Sequence, residues 1–230
     1  MINSNHVNGQ LDKKFHSSPK FEKDIMKIKE WMNFKSTWRV LVIDSKDIQY
    51  IQELISPWVR KVILLDLSKG GEDRVPFPDH HFDAIIFRMS SCLLTSSNSL
   101  MLELHRVLKH GGKFMFIDHV LPNDPSHGKI VSQFFNLGND QPFHFKSTIE
   151  WKTIFKKYRL YVHSAKIEKR QIYLEEWIHE HLLHEKKVHE MQELLLDATP
   201  RQKQYFSIDF DKERVISLEV DLWIAMFEKE

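Results

Sequence analysis

The sequence predicts an α/β protein built on one open, doubly wound, mostly parallel sheet, and three observations predict it. Four apolar runs of strand length, WRVLVID (38–44), RKVILLDL (60–67), FDAIIFRM (82–89) and GKFMFIDHV (112–120), lack the polar alternation of a half-exposed strand, as strands covered on both faces do. Segments of helical spacing separate the first two runs and the last two, so these pairs should lie parallel, joined by right-handed crossovers. The 230 residues, 42% hydrophobic with 16 Phe, suffice for one buried core.

Each element has its own justification. Residues 1–18 are polar and read as a mobile arm ahead of a single domain over 19–230. PKFEKDIMKIKEWMNF sets Phe21, Ile25, Ile28, Trp31 and Met32 on one side of a helix with a charged opposite side. Ile48, Ile51, Leu54 and Ile55 mark the helix between the first two strands. After the third strand, the second half of SSCLLTSSNSLMLELHRVLKH is helical and is expected to stop at Gly111-Gly112. HGKIVSQFFNLG and STIEWKTIFKKY are helix-like, RLYVHSAKIEKR (159–170) alternates as a strand, and a charged, His-rich helix is expected over 172–195. FSIDF and RVISLEVDLWIAMFEK close the chain, so the strands from 159 onward should be antiparallel, with a helical insertion at about 172–206. Phe206, Phe210, Trp223 and Phe227 are expected in the core or on a dimer surface.

Composition narrows the function. Lys plus Arg number 33 against 32 acids, for a net charge of +1, and no like-charge block marks a nucleic-acid tail. Cys92 is the single cysteine. It excludes an intramolecular disulfide and a cysteine zinc site, fits a reducing compartment, and is expected to be a buried, inert thiol. With no apolar signal core at the amino terminus and no run near ~18 apolar residues, a cytoplasmic protein without a membrane span is expected. WIHEHLLHEKKVHE brings His179, His181, His184 and His189 together, but Leu183 breaks the H-E-x-x-H spacing. His181, His184 and Glu185 could share a helix face around a divalent metal; a solvated face with i, i+4 charge pairs is the preferred reading, and no metal is expected. Hydrolase and ATPase motifs are missing from the sequence.

The most specific stretch is VPFPDHHFDAIIFRMSSCLLTSSNSLMLELHRVLKHGGKFMFIDHVLPND, residues 75–124. Its PFPD-x-x-FD strand entry, the helix and turn from Leu102 to Gly112 with E-x-x-RVLK-x-GG inside it, and FMFIDHVLP resemble, in order, the second half of class I S-adenosylmethionine-dependent methyltransferases. The group resembled includes the ubiquinone/menaquinone C-methyltransferases. The resemblance implies a Rossmann-like sheet and S-adenosylmethionine as cofactor. It places Asp66 where family members hydrogen-bond the cofactor ribose. NDQPFHFKSTIEWKTIFKKY resembles, with one extra residue, a segment whose His and Trp lie on the substrate side, which implies that role for His144 and Trp151.

Two departures bear on the cofactor. Where the family has D-x-G-x-G-x-G, this chain reads Val42-Ile43-Asp44-Ser45-Lys46-Asp47-Ile48, with no glycine from Gln10 to Lys69. Asp44, Lys46 and Ile48 at the glycine positions put side chains where the methionine part of the cofactor would pass. Between Asp66 and Val75 there is no room for a further helix and strand, so the sheet is shortened by one strand–helix unit and an adenine-side wall is lost. Asp73 could stand in for the adenine-contacting acid, since GGEDRVPF loosely resembles a family segment.

Candidate cofactor contacts are thus Asp44, Ser45, Asp66, Asp73, Arg88 and Ser90, the last two at a strand's carboxyl end, where open α/β sheets bind ligands. Asp44 and Asp66 could equally cap the turns that follow them. The first expectation is a methyltransferase-like protein with an eroded cofactor site, binding little or no S-adenosylmethionine and serving as a non-catalytic binding or regulatory partner of another protein, an active paralogue or a homodimer mate. The alternative is an active small-molecule methyltransferase with a rebuilt site, in which His144 or Asp118 removes a proton from the acceptor. A third is a different small ligand in an apolar cavity near Arg88.

Overall fold

The computed structural model describes residues 19–44, 48–65, 74–96, 98–138 and 144–230. The expected arm at 1–18 lies outside them. The elements are α1 (Pro19–Met32), β1 (Arg39–Asp44), α2 (Ile48–Ile55), β2 (Lys61–Leu64), β3 (Phe82–Arg88), α3 (Ser91–Ser96), α4 (Asn98–Val107), β4 (Leu108–His119), α5 (Pro125–Leu137), α6 (Thr148–Lys157), β5 (Leu160–Tyr173), α7 (Leu174–Glu180), α8 (Glu185–Leu196), α9 (Pro200–Tyr205), β6 (Asp209–Asp211) and β7 (Arg214–Lys229).

One sheet runs β2-β1-β3-β4-β7-β5, with β6 hydrogen-bonded to β7 off this path. β2, β1, β3 and β4 are parallel; β7 lies antiparallel between β4 and β5. Their apolar runs feed both faces. On one, Leu41, Ile85, Phe87, Phe114, Phe116, Trp223 and Phe227 pack with Leu104 of α4 and with Trp151 and Phe155 of α6. On the other, Val40, Val42, Ile86, Met115, Ile117 and Ile224 pack with Ile28 and Met32 of α1 and Ile51 and Ile55 of α2. Each fully buried Phe or Leu contributes about 1.5–3 kcal/mol of transfer free energy, so the strands most apolar in sequence occupy the centre of the sheet. A third cluster joins α5, α8 and α9 to the far halves of β5 and β7. The helical insertion is anchored there.

The helix before Gly111-Gly112 ends early. α4 stops at Val107, and Leu108 already pairs with Phe82 as strand. Partners then jump from Leu108 to Lys113 while β3 advances only from Phe82 to Ala84, so the two glycines lie in a bulge, with Gly111 at φ +66°. Gly111 and Gly112 therefore form a strand bulge, not the expected helix stop. Carbonyls at the helix end find a donor elsewhere: Lys229, at the end of β7, donates to the carbonyls of His105 (2.6 Å) and Leu108 (2.8 Å).

The helix expected over 172–195 is two helices. β5 continues to Tyr173, α7 ends at Glu180, and Leu182 turns the chain at φ +49° before the His184 imidazole accepts from the Lys187 amide at the start of α8. FSIDF is strand only from Asp209, because Phe206 is drawn into the third core and Ser207 turns at φ +44°. Phe206, Trp223 and Phe227 are core residues and Phe210 packs partly buried against the third cluster. No helix among the described residues is long and apolar enough to cross a membrane.

Candidate functional site at the carboxyl ends of the parallel strands

The parallel strands bring three of the predicted residues to one end of the sheet. Asp44 closes β1 directly opposite Arg88, which closes β3 and pairs with Ile117 of β4, so Asp118 comes one residue further along. Ser45, Asp66 and Asp73 lie outside the described residues.

The exit from β3 is tight. Met89 adopts φ +47°, a left-handed conformation that costs a non-glycine residue about 1–2 kcal/mol. Its amide donates to the carbonyl of Ile117 (2.9 Å). The Ser90 hydroxyl donates back to the carbonyl of Arg88 (2.9 Å), and α3 begins at Ser91. The Asp118 carboxylate ties this turn to β4: Oδ2 accepts the Ser91 amide (2.8 Å) and Oδ1 accepts the His119 amide (2.7 Å). Arg88, Ser90, Ser91 and Asp118 are 5%, 1%, 4% and 5% exposed, covered by the protein's own atoms.

That burial sets the electrostatics. Desolvation pushes the Asp118 carboxyl up to about 6, against the lowering pull of the Ser91 and His119 hydrogen bonds and the Arg88 charge. Next to it, His119 is held down to about 3, first by burial and then by the Arg170 charge. It is a neutral imidazole at physiological pH, its ring 4.9 Å from that of Phe135. Cys92 is exposed, which corrects the expectation of a buried thiol. Its pKa is nonetheless raised, by desolvation first and by the neighbouring Asp118 charge second.

The residues taken from the substrate-side segment separate. Leu121, just beyond β4, accepts no strand partner but bridges to Ser147, and its amide donates to the carbonyl of Lys146 (3.0 Å), so the 144–148 segment runs past the carboxyl end of the sheet. His144 is exposed on it. Trp151 is 1% exposed, its ring 5.0 Å from Phe116 and 5.5 Å from Phe155, with an indole N–H that meets no acceptor. Its place is in the core.

Sequence reasoning missed a second polar group. Asp221 of β7 accepts the Tyr205 hydroxyl (2.7 Å) and the ammonium of Lys169 (2.8 Å), its direct cross-strand partner on β5. The Lys169 ammonium also lies 3.6 Å from the centre of the Tyr205 ring. Burial, then the Asp221 contact, raises the Tyr205 pKa. With Asn123, Leu121 and Thr148 these groups line a cavity of about 260 Å³. Cross-strand pairing on the closing hairpin would have signalled Lys169 and Asp221; nothing in the sequence brings Tyr205 to them. A larger, open groove of about 760 Å³ lies between α7 and α8, lined by Glu175, Ile178, Leu182 and Val188 among others. Neither cavity is lined by Arg88, so the apolar cavity expected beside Arg88 is not found at either of them.

Two sequence features make structural contacts. In the E-x-x-R segment, Arg106 donates to Glu103, to Asp79 (2.7 Å) and to the carbonyls of Phe77 and Val75, while Glu103 accepts the Val75 amide. This fastens PFPD to α4 and fixes the entry to β3. In the His-rich segment, His181 stacks on Trp177 (3.7 Å) and His184 caps α8, and no group of three or more metal-binding side chains occurs among the described residues.

A family model described as a methyltransferase domain matches residues 33–116. The uncharacterized methyltransferase YcgJ of Bacillus subtilis is 28% identical over 111 residues, 48% of this chain and 44% of that protein. The ubiquinone/menaquinone biosynthesis C-methyltransferase UbiE of Cupriavidus necator is 37% identical over 60 residues, 26% of this chain and 25% of that protein. These matches thus span less than half the length of either relative. The crystal structure of Bacillus subtilis YcgJ superposes with a TM-score of 0.81 at 20% identity, covering 91% of this chain and 99% of that one, which establishes the shared fold.

Proposed function

We propose, for a chain that belongs to the class I S-adenosylmethionine-dependent methyltransferase superfamily, that the cofactor end of the sheet is occupied by the protein's own side chains and that the protein works as a non-catalytic, methyltransferase-like binding or regulatory partner. One observation carries the reading: Arg88, Ser90, Ser91 and Asp118, at the strand ends that would floor a nucleotide pocket, are all at most 5% exposed. Each Asp118 oxygen already accepts a backbone amide, and a buried acceptor so engaged offers a ligand less than an open one does. On this reading S-adenosylmethionine, which needs polar groups reachable at those strand ends, finds few of them open there. The glycine-free turn after β1 and the short link before Val75 support the same conclusion from the sequence.

Calorimetric titration of the purified chain with S-adenosylmethionine and S-adenosylhomocysteine tests it. The expected result is no heat of binding and no rise in Tm at millimolar ligand, because a ligand that binds only the folded state must stabilise it. Micromolar binding of either nucleotide overturns the proposal. The cavity beside Asp221 favours a second reading, a rebuilt methyltransferase whose acceptor sits among Tyr205, Lys169 and Thr148. That reading requires the nucleotide to bind, so the same titration separates the two.

A further inference from the structure

The two borders of the sheet differ. β2 offers four residues, whereas β5 offers fourteen and is hydrogen-bonded to β7; among the described residues no strand pairs with its other side. A long open border is a template for another strand. β5 is also poorly covered by helices along its length: Tyr161, Val162, Ile167 and Tyr173 are 38%, 41%, 49% and 38% exposed. Val162, Ile167 and Tyr173 stand opposite Phe227, Trp223 and Ser217 of β7, so they share one face of the sheet.

We propose that β5 pairs with β5 of a second copy of this chain, antiparallel, about a two-fold axis through Ile167. Such a contact must be self-complementary, and the charges on β5 select this register. Centred on Ile167, Lys166 faces the partner's Glu168 on both sides of the axis, Ile167 packs on its own copy, and Ser164 faces the partner's Arg170. Centring on Lys166 sets that ammonium against itself. Centring on Glu168 sets the carboxylate against itself and Lys166 against Arg170. An axis between two neighbouring residues would set side chains of opposite faces across from one another, which an antiparallel ladder does not allow.

Lys166 and Glu168 already meet within the chain at 2.8 Å and are 51% and 24% exposed, within reach of a neighbour. The bulge between Val162 and Ser164 lies outside the central stretch 164–170. The register also joins like faces, so Ile167 of each copy extends the same apolar side of one continuous sheet. This inference holds whether or not a nucleotide binds, since β5 lies beyond β7 from the strand ends that hold Arg88 and Asp118.

Charge reversal tests it on the full chain. Sedimentation should give twice the 27.5 kDa chain mass. Lys166→Glu alone and Glu168→Lys alone should each weaken the dimer about tenfold or more, because each sets like charges opposite one another twice, and the double reversal should restore it. Ile167→Lys should yield monomer, with circular dichroism confirming that every variant stays folded. A wild-type chain that sediments as monomer at concentrations up to about 100 µM, where a specific contact of ordinary strength assembles, overturns the proposal. So does a dimer indifferent to the single reversals, or one that the double reversal fails to rescue.

Discussion

Asp118→Asn isolates the charge buried at the end of β4. The carboxyl is raised from 3.8 to about 6, first by desolvation, and a shift of about two units corresponds to ~3 kcal/mol. The folded state holds the proton more tightly than the unfolded state, so between pH ~4 and ~6 it binds more protons and stability falls as pH rises. Wild type therefore carries roughly a fifth of this cost at pH 4 and nearly all of it at pH 8. Asparagine cannot ionise and carries none at either pH. Its amide does turn an N–H toward one of the two backbone donors, Ser91 or His119, a loss of about 1–3 kcal/mol that does not depend on pH. The difference in unfolding free energy, variant minus wild type, should then climb by ~2.4 kcal/mol between pH 4 and pH 8 whatever its absolute value, since all other groups titrate alike in both proteins. Urea unfolding at pH 4.5, 6 and 8 measures it. A flat difference, or one that falls with pH, would mean that the Arg88 charge outweighs desolvation, and the account of this site would be refuted.

Three further outcomes are expected. Gly112→Ala should destabilise by about 1–3 kcal/mol in thermal unfolding, because a Cβ there meets the Lys109 carbonyl and Leu108 at 2.7 Å; Gly111→Ala meets nothing and should cost only the ~1 kcal/mol of a left-handed residue. Arg106→Ala should lose about 1–3 kcal/mol and Arg106→Lys should recover little of it, because a lysine cannot span Glu103, Asp79 and two carbonyls with one ammonium. Cys92, exposed but with its thiol pKa raised by desolvation and the Asp118 charge, should react with iodoacetamide at pH 8 more slowly than free cysteine; faster labelling would contradict the desolvation assigned to it.

The parallel half of the sheet was legible because its strands are buried on both faces, which leaves unbroken apolar runs that local spacing reveals. Boundaries were less legible where a tertiary contact replaced a local signal. Gly111-Gly112 reads as a helix stop, yet the carbonyls it would have satisfied are taken by Lys229, more than a hundred residues away. Only the folded sheet makes that donor available. The His-rich segment reads as one helix because its charges and apolar residues keep helical spacing through Leu182 and Leu183, and nothing local announces that Trp177 will hold His181 at the break. At the candidate site, strand-end position alone identified Arg88, Ser90 and Asp118. Their burial was not legible, because it depends on the Met89 turn folding α3 back onto β4.

That turn links stability to the proposed function. A sheet end that waits for a ligand keeps polar groups open to solvent and is ordered by what it binds. On the proposed reading this end has taken the other course: Met89 accepts a strained torsion, Ser90 and Ser91 close over β3, and Asp118 is ionised at a cost of ~3 kcal/mol at neutral pH in order to receive two amides. A network that fastens the turn without a nucleotide leaves binding energy from a nucleotide nothing to complete. The same argument fixes what would restore an opening. Asp118→Ala removes the acceptor that holds Ser91, so the turn should loosen and amide exchange at Ser91 should rise well above that of Met115, which stays in the middle of β4. Equal protection in both proteins would show that Asp118 does not hold the turn shut.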